Sequence, residues 1–295
     1  MERFPFYCQW EITCRCNLRC VMCYTDCYNT PEKIREELST PEILRILAEL
    51  AESGCTEICF TGGEPLSRPD FFEIYEAAKR RGFLITIFTN ATLITEAVAD
   101  RLAEWPPHLM EISLHGMTEG TFEKITQGRG SFGRCLNAIQ LLLQRKIPLV
   151  LKATAMTLNK EELLEIKRYV QSLGAGVRFK MGETMTRTLD GSDSPKVYEL
   201  ADEELQSLER RDAEIWKEIC EESGAEAVCQ SGKTSFHIDA YGQLQLCSGN
   251  RRKGYDLRKG SFREGFYEFL PHFPCPLKIP GNSSAEVCGN HERAV

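Results

Sequence analysis

No apolar run in this chain approaches the roughly 20 residues that a membrane-spanning helix needs. Nor does Met1 to Gln9 carry a basic flank followed by an apolar stretch, so no secretion signal is present. Both absences point to a cytoplasmic chain. There is no internal repeat and no low-complexity tract. Positive charge is not in surplus either: 36 basic residues face 43 acidic ones, for a net charge of −7. That balance makes a poor general polyanion binder and disfavours nucleic acid as a partner. One local exception is the group Arg251, Arg252, Lys253, Arg258, Lys259 and Arg263. It reads as a solvated basic loop, or else as a seat for an acidic or phosphorylated substrate.

Cysteine, by contrast, is abundant, with 14 in 295 residues. A chain of this size without a secretion signal is not expected to be stapled by disulfides. The cysteines cluster near the two ends, which points to metal ligation.

From residue 8 to about 181, short apolar runs alternate with amphipathic stretches. The strand candidates are Tyr7–Ile12, Glu57–Thr61, Leu84–Thr89, Met110–Leu114, Leu149–Ala153 and Val177–Met181. Helices are expected from a Thr40 cap through Glu52, over Asp70–Arg81, Thr95–Glu104 and Phe132–Arg145, and from an Asn159 cap through Leu173. Strand and helix alternating in this way give a parallel sheet with right-handed crossovers. Six units fall short of a closed eightfold barrel. The expected fold is therefore α/β: an open, partial (β/α)6 TIM barrel over residues 1–181. A linker and a long helix, Asp202–Ser223, follow over residues 182–228. Residues 229–295 form a small α+β domain built on a hairpin, Thr234–Asp239 and Gln243–Leu246, turning at Tyr241–Gly242.

The first cysteine group contains Cys16-x3-Cys20-x2-Cys23. Three thiolates from one short loop can hold three irons of a cubane cluster, leaving the fourth iron without a protein ligand. Such an open site can take a small chelating molecule. With Cys14 as a fourth thiolate, zinc is an alternative. The spacing, with Met22 before the last cysteine and Tyr24 after it, resembles the signature of the radical S-adenosylmethionine (SAM) superfamily. The resemblance covers roughly residues 7–181. It implies a [4Fe–4S] cluster on Cys16, Cys20 and Cys23, with SAM on the open iron. It also implies cleavage of SAM by one external electron, from a donor such as flavodoxin or ferredoxin. The 5′-deoxyadenosyl radical so formed abstracts hydrogen from substrate.

Thr61-Gly62-Gly63-Glu64-Pro65 directly follows the second strand candidate. Glycines there let backbone approach a ligand with no Cβ in the way. The resemblance implies that this backbone receives the SAM amino group, with Glu64 and Pro65 beside it. Polar groups recur at later strand ends: Thr89 and Asn90, Ser113 and His115, Lys152 and Thr154, and Glu183. In a barrel enzyme these ends form the pocket wall. The resemblance implies Ser113 as a contact to SAM ribose or carboxylate, with Asn90 and Lys152 as further SAM candidates. His115 reads as structural, and Gly128-Arg129-Gly130 as the loop before a long helix.

In the tail stand Cys229, Cys247, Cys275 and Cys288, the first two spaced Cys-x12-Gly-x4-Cys around Gly242. A tight turn brings such strand ends together, and four cysteines suffice for one cluster. This pattern resembles the SPASM and twitch extensions of radical SAM enzymes. It implies a single auxiliary [4Fe–4S] cluster on those four residues. Families with such tails modify ribosomally made peptides by cross-linking or epimerisation, and this is the expected function. Oxidation of a small alcohol or carbohydrate is the second reading, and a non-catalytic Fe–S or zinc binding protein the third. The chain starts only a few residues before its first strand, so a peptide substrate is expected to need a separate leader-peptide-binding partner or recognition through the tail.

Overall fold

The computed structural model describes residues 3–25, 30–182, 194–215, 230–249, 251 and 253–273. Six parallel strands run side by side in sequence order: β1 (Tyr7–Thr13), β2 (Glu57–Gly62), β3 (Leu84–Thr89), β4 (Leu109–Ser113), β5 (Leu149–Thr154) and β6 (Val177–Gly182). This is the sheet of a partial TIM barrel, as the alternating pattern predicts. Between the strands lie α1 (Pro31–Glu36), α2 (Thr40–Glu52), α3 (Phe71–Arg80), α4 (Glu96–Glu104), α5 (Glu119–Thr126), α6 (Ser131–Gln144) and α7 (Leu163–Ser172). Their apolar stripes meet one face of the sheet in a single core, where Trp10, Ile12, Phe60, Ile87 and Ile112 pack against Ile43, Leu47, Ile74, Leu102 and Leu142. The opposite face of β1 carries Glu11, so each strand alternates between the core and a polar interior.

Beyond β6 come α8 (Asp202–Arg211), β7 (Ser235–Ile238), β8 (Gln243–Gln245) and β9 (Tyr255–Asp256). β7 and β8 form the expected antiparallel hairpin, turning through Gly242 at φ +84°. β7 also pairs in parallel with β1, Tyr7 opposite Ser235 through Trp10 opposite Ile238. The hairpin therefore continues the barrel sheet, giving nine strands in the order β6-β5-β4-β3-β2-β1-β7-β8-β9.

Three local readings are corrected. The helix expected over Asp202–Ser223 breaks after Arg211, where Asp212 turns extended (φ −154°, ψ 98°) and its carboxylate takes Lys167 Nζ at 2.6 Å; residues 216–223 of that span lie outside the described residues. Ser39, not Thr40, caps α2: the Glu42 carboxylate accepts both the backbone N–H and the hydroxyl of Ser39 at 2.7 Å. Asn159 does not cap α7. Its side chain ties the ends of β4 and β5, donating to the carbonyls of His115 and Thr154 at 2.8 and 2.9 Å. No helix among the described residues is long and apolar enough to cross a membrane.

Candidate active site

β1 delivers the cysteine loop at the carboxyl end of the parallel strands. Glu37, buried just after α1, anchors the near side. Its carboxylate accepts the Thr13 hydroxyl at 2.8 Å and the Cys14 N–H at 2.7 Å, and it pairs with Arg15 at 3.2 Å. Behind it, buried Arg68 donates to the carbonyls of Ile12 and Leu38 at 2.8 and 2.7 Å. The far side docks on the end of α5, where the N–H groups of Arg19 and Val21 donate to the carbonyls of Thr126 and Ile125 at 3.1 and 2.9 Å. Leu18 is buried against Gly128, where an added Cβ would lie 2.3 Å from Leu18 Cδ2. Met22 packs with Ile125 and Met156.

The apolar residues between the cysteines thus hold the loop down, and Cys16, Cys20 and Cys23 stay partly exposed. The Cys16 sulfur accepts the Leu18 N–H at 3.4 Å. Cys23 N–H donates to the Cys20 carbonyl at 3.0 Å, and the Cys23 sulfur lies 3.1 Å from Thr25 Oγ1. Among the described residues no three His, Cys, Asp or Glu side chains crowd round one point as a single-ion site would require. Three thiolates that each take a different iron need no such crowding, and three partly exposed cysteines on one loop are the donor type that a cubane uses.

The glycine segment after β2 is packed against this loop. Gly62 sits at φ +139°, and a Cβ there would lie 2.1 Å from the Thr13 carbonyl oxygen; one on Gly63 would lie 2.3 Å from that of Arg15. The N–H groups of Gly63 and Glu64 donate to those same carbonyls at 3.0 and 2.7 Å. The close approach that glycine permits here is to the chain's own cysteine loop. Glu64 is fully buried and accepts from Leu66 N–H (3.1 Å), the Thr89 hydroxyl (2.9 Å) and Asn90 N–H (2.7 Å). Burial pushes its carboxyl up to about 7, against the pull of those hydrogen bonds. Pro65 is buried at the start of a short turn, Pro65–Ser67.

Asn90 also faces the cysteine loop. Its Nδ2 donates to Asn17 Oδ1 at 3.0 Å and lies 3.9 Å from the Cys16 sulfur, while Asn17 donates to Thr92 Oγ1 at 2.7 Å. Ser113 and Lys152 stand opposite each other on β4 and β5. Lys152 shares the buried Glu111 with Lys180, at 3.4 and 3.5 Å. His115 is structural: its Nδ1 accepts the Thr154 N–H at 3.2 Å, and burial lowers its pKa to about 4.

Cys247, partly exposed, lies just past β8. Cys229, Cys275, Cys288 and Glu183 lie outside the described residues. A cavity of about 200 Å³ opens between Thr13, Gly62 and Gly63 on the barrel side and Tyr241, Gln245 and Arg251 on the hairpin side. The hairpin therefore walls the space beside the glycine segment. Arg252 lies outside the described residues, and the described members of the basic group seen in the sequence do not gather into one seat. Arg251 pairs with Glu11, Arg258 with Glu42 and Lys259 with Asp256, while Lys253 and Arg263 cover the rings of Phe273 and Tyr267.

Sequence reasoning passed over Glu37, Arg68, Thr126 and Leu18, which shape the loop. Glu37 carries no motif; it is one more acid in a charged stretch, and its role depends on partners more than 20 residues away.

The model of the radical SAM superfamily matches residues 10–170, more than half of the chain. The chain is 31% identical over 201 residues to the AdoMet-dependent heme synthase of Methanosarcina barkeri, covering 68% of this chain and 57% of that one. It is 25% identical over 254 residues to the sporulation killing factor maturation protein SkfB of Bacillus subtilis, covering 82% and 60%. It thus spans less than two thirds of the length of either relative. Its fold is similar to that of Streptococcus suis SuiB bound to precursor peptide SuiA, with a TM-score of 0.72 at 16% identity, over 91% of this chain and 66% of that one. The cysteine loop, the glycine segment and strands β2 to β5 fall within the matched span, and the chain belongs to the radical SAM superfamily, a family that works with a [4Fe–4S] cluster and SAM.

Proposed function

We propose that this chain is a radical SAM enzyme that modifies a peptide. The observation that carries the reading is the bracing of one loop from three directions, by Glu37, by Gly63 and Glu64, and by Thr126, at the strand ends where barrel enzymes keep their chemistry. In this reading Cys16, Cys20 and Cys23 hold three irons of the cluster. Gly62, Gly63, Glu64, Pro65, Asn90, Ser113 and Lys152 form the SAM side of the pocket. Cluster and SAM, once bound, supply one-electron cleavage of SAM and a radical that abstracts hydrogen. The chain's own part is to fix the thiolates, to keep water from beneath the loop with Leu18 and Met22, and to orient substrate at the polar strand ends. Cys247, with Cys229, Cys275 and Cys288, would hold an auxiliary cluster beside the hairpin. The electron comes from an external donor of the flavodoxin or ferredoxin kind.

The peptide assignment is supported by the names of two similar proteins, a maturation protein and an enzyme solved with its precursor peptide. A second reading, a small-molecule substrate, is favoured by the match to a heme synthase. The test is anaerobic incubation with SAM, reductant and any short peptide found encoded in neighbouring genes, beside an iron porphyrin, read by mass spectrometry and chiral analysis. Loss of two hydrogens or a D-residue supports the peptide reading. Unmodified peptide, with consumption of an iron porphyrin instead, refutes it.

A further inference from the structure

Arg251 stands at a junction that neither cysteine motif anticipates. Its guanidinium makes a two-pronged ion pair with Glu11 on β1: Nη1 reaches Oε2 at 2.7 Å and Nη2 reaches Oε1 at 2.5 Å. Its Nε donates to the carbonyl of Ser248, the neighbour of Cys247, at 2.7 Å. The guanidinium carbon lies 5.7 Å from the centre of the Tyr24 ring, and Tyr24 follows Cys23. One side chain thus touches the strand that enters the first cysteine loop, the end of that loop, and the loop that carries Cys247.

The pair is buried: the side chains of Arg251 and Glu11 are 13% and 3% exposed. Besides Tyr24, whose hydroxyl burial holds protonated, two other titratable groups face it. His237 lies 3.8 Å from Glu11, fully buried, and burial keeps it neutral, with its pKa lowered to about 4. The Asp239 carboxyl is pushed up to about 6 by burial and is taken up by the N–H groups of Tyr241 and Gln243. Arg251 is therefore the cation of this group, and Glu11 its counter-ion.

We propose that Arg251 is a positioning residue that fixes the Cys23 end of the cysteine loop to the hairpin and, with Glu11, sets the reduction potential of the cluster held by that loop. The proposal rests on the reading of Cys16, Cys20 and Cys23 as cluster ligands. Charges taken out of water are weakly screened and act over several ångströms. A reduced cluster carries one more electron than an oxidised one. A nearby cation stabilises the reduced form and a nearby anion opposes it, which is how net charge tunes such centres. Removing one member of a buried pair leaves the other uncompensated. The two single variants must then act with opposite sign, an outcome that a merely structural role does not produce.

The test is a redox titration of the anaerobically reconstituted full chain, followed by the electron paramagnetic resonance signal that changes when SAM is added. Glu11→Gln is expected to raise the midpoint potential and Arg251→Met to lower it. Arg251→Lys, which keeps the charge, should stay near wild type. If Arg251→Met does not load iron, Glu11→Gln and Arg251→Lys still decide. A midpoint unmoved in Glu11→Gln, shifts of the same sign in both single variants, or loss of iron from Glu11→Gln would each overturn the proposal. A wild-type chain that loads iron but gives no SAM-sensitive signal would instead sink the cluster reading beneath it.

Discussion

The carboxylate of Glu64, at the end of β2, accepts the backbone N–H of Asn90, at the end of β3, at 2.7 Å. It does so from a fully buried position while the Glu64 N–H holds the Arg15 carbonyl two residues after β1. One residue therefore ties three strand ends to the cysteine loop. Glu64→Ala leaves the Asn90 N–H and the Thr89 hydroxyl without this acceptor, at a cost of about 1–3 kcal/mol each. Urea unfolding should show a loss of a few kcal/mol. Displacement of the loop should also cut SAM cleavage by about a hundredfold. A variant of wild-type stability and cleavage would remove Glu64 from this role.

Glu64 also gives the protein a signed pH dependence. Its pKa rises on folding from 4.5 to about 7, so the folded form binds more protons between those values. The stability it contributes is fully present below about 4.5 and is lost as pH rises through 7, about 3 kcal/mol in all. His115 and His237 work the other way: their pKa values fall from 6.5 to about 4, and their contribution is lost as pH falls through that window. The difference between wild type and Glu64→Gln isolates the carboxyl. That difference should move against wild type between about pH 4.5 and 7, and a flat difference would contradict the assignment.

Gly63→Ala places a Cβ 2.3 Å from the Arg15 carbonyl oxygen, a backbone contact with no flexible end to yield. The cysteine loop must shift. The expected result is a folded barrel that binds less iron on reconstitution, measured as iron per chain beside the far-ultraviolet circular dichroism melt. Gly120→Ala on α5, with nothing within 4 Å, serves as the control and should change stability by less than about 1 kcal/mol.

Cys14 separates the cluster from the zinc alternative. Its N–H is bound by Glu37, and burial pushes its thiol up to about 12, beside Tyr241. Cys14→Ala should therefore keep iron and 5′-deoxyadenosine release. Ala at Cys16, Cys20 or Cys23 should abolish that release. Equal loss in all four variants, with zinc in the purified protein, would favour a four-thiolate zinc site.

How far the sequence alone could see follows from the range of each interaction. β1 to β6 and the helices α2, α3, α4, α6 and α7 were legible because apolar periodicity is local, while the short α1 and α5 carry too few apolar positions to show one. The cysteine loop was legible because its donors lie within eight residues, Cys16 to Cys23. The pairing of β7 with β1 was not, since Tyr7 and Ser235 are brought together only by the folded sheet. The same holds for Asp212, whose bond to Lys167 accompanies the end of a helix that the local pattern extends. The glycines after β2 were noticed for the right physical reason, but the backbone that crowds them belongs to Thr13 and Arg15. The basic tail looked like one patch because charge was counted along the chain, while its side chains diverge to Glu11, Glu42 and Asp256.

The most direct test of the central claim is SAM cleavage by the anaerobically reconstituted protein under dithionite, with 5′-deoxyadenosine measured by chromatography. The account predicts release of 5′-deoxyadenosine from the wild-type chain and none from the variant with Ala at Cys16, Cys20 and Cys23. A wild-type sample that holds about four or more irons per chain, yet releases none, would contradict it.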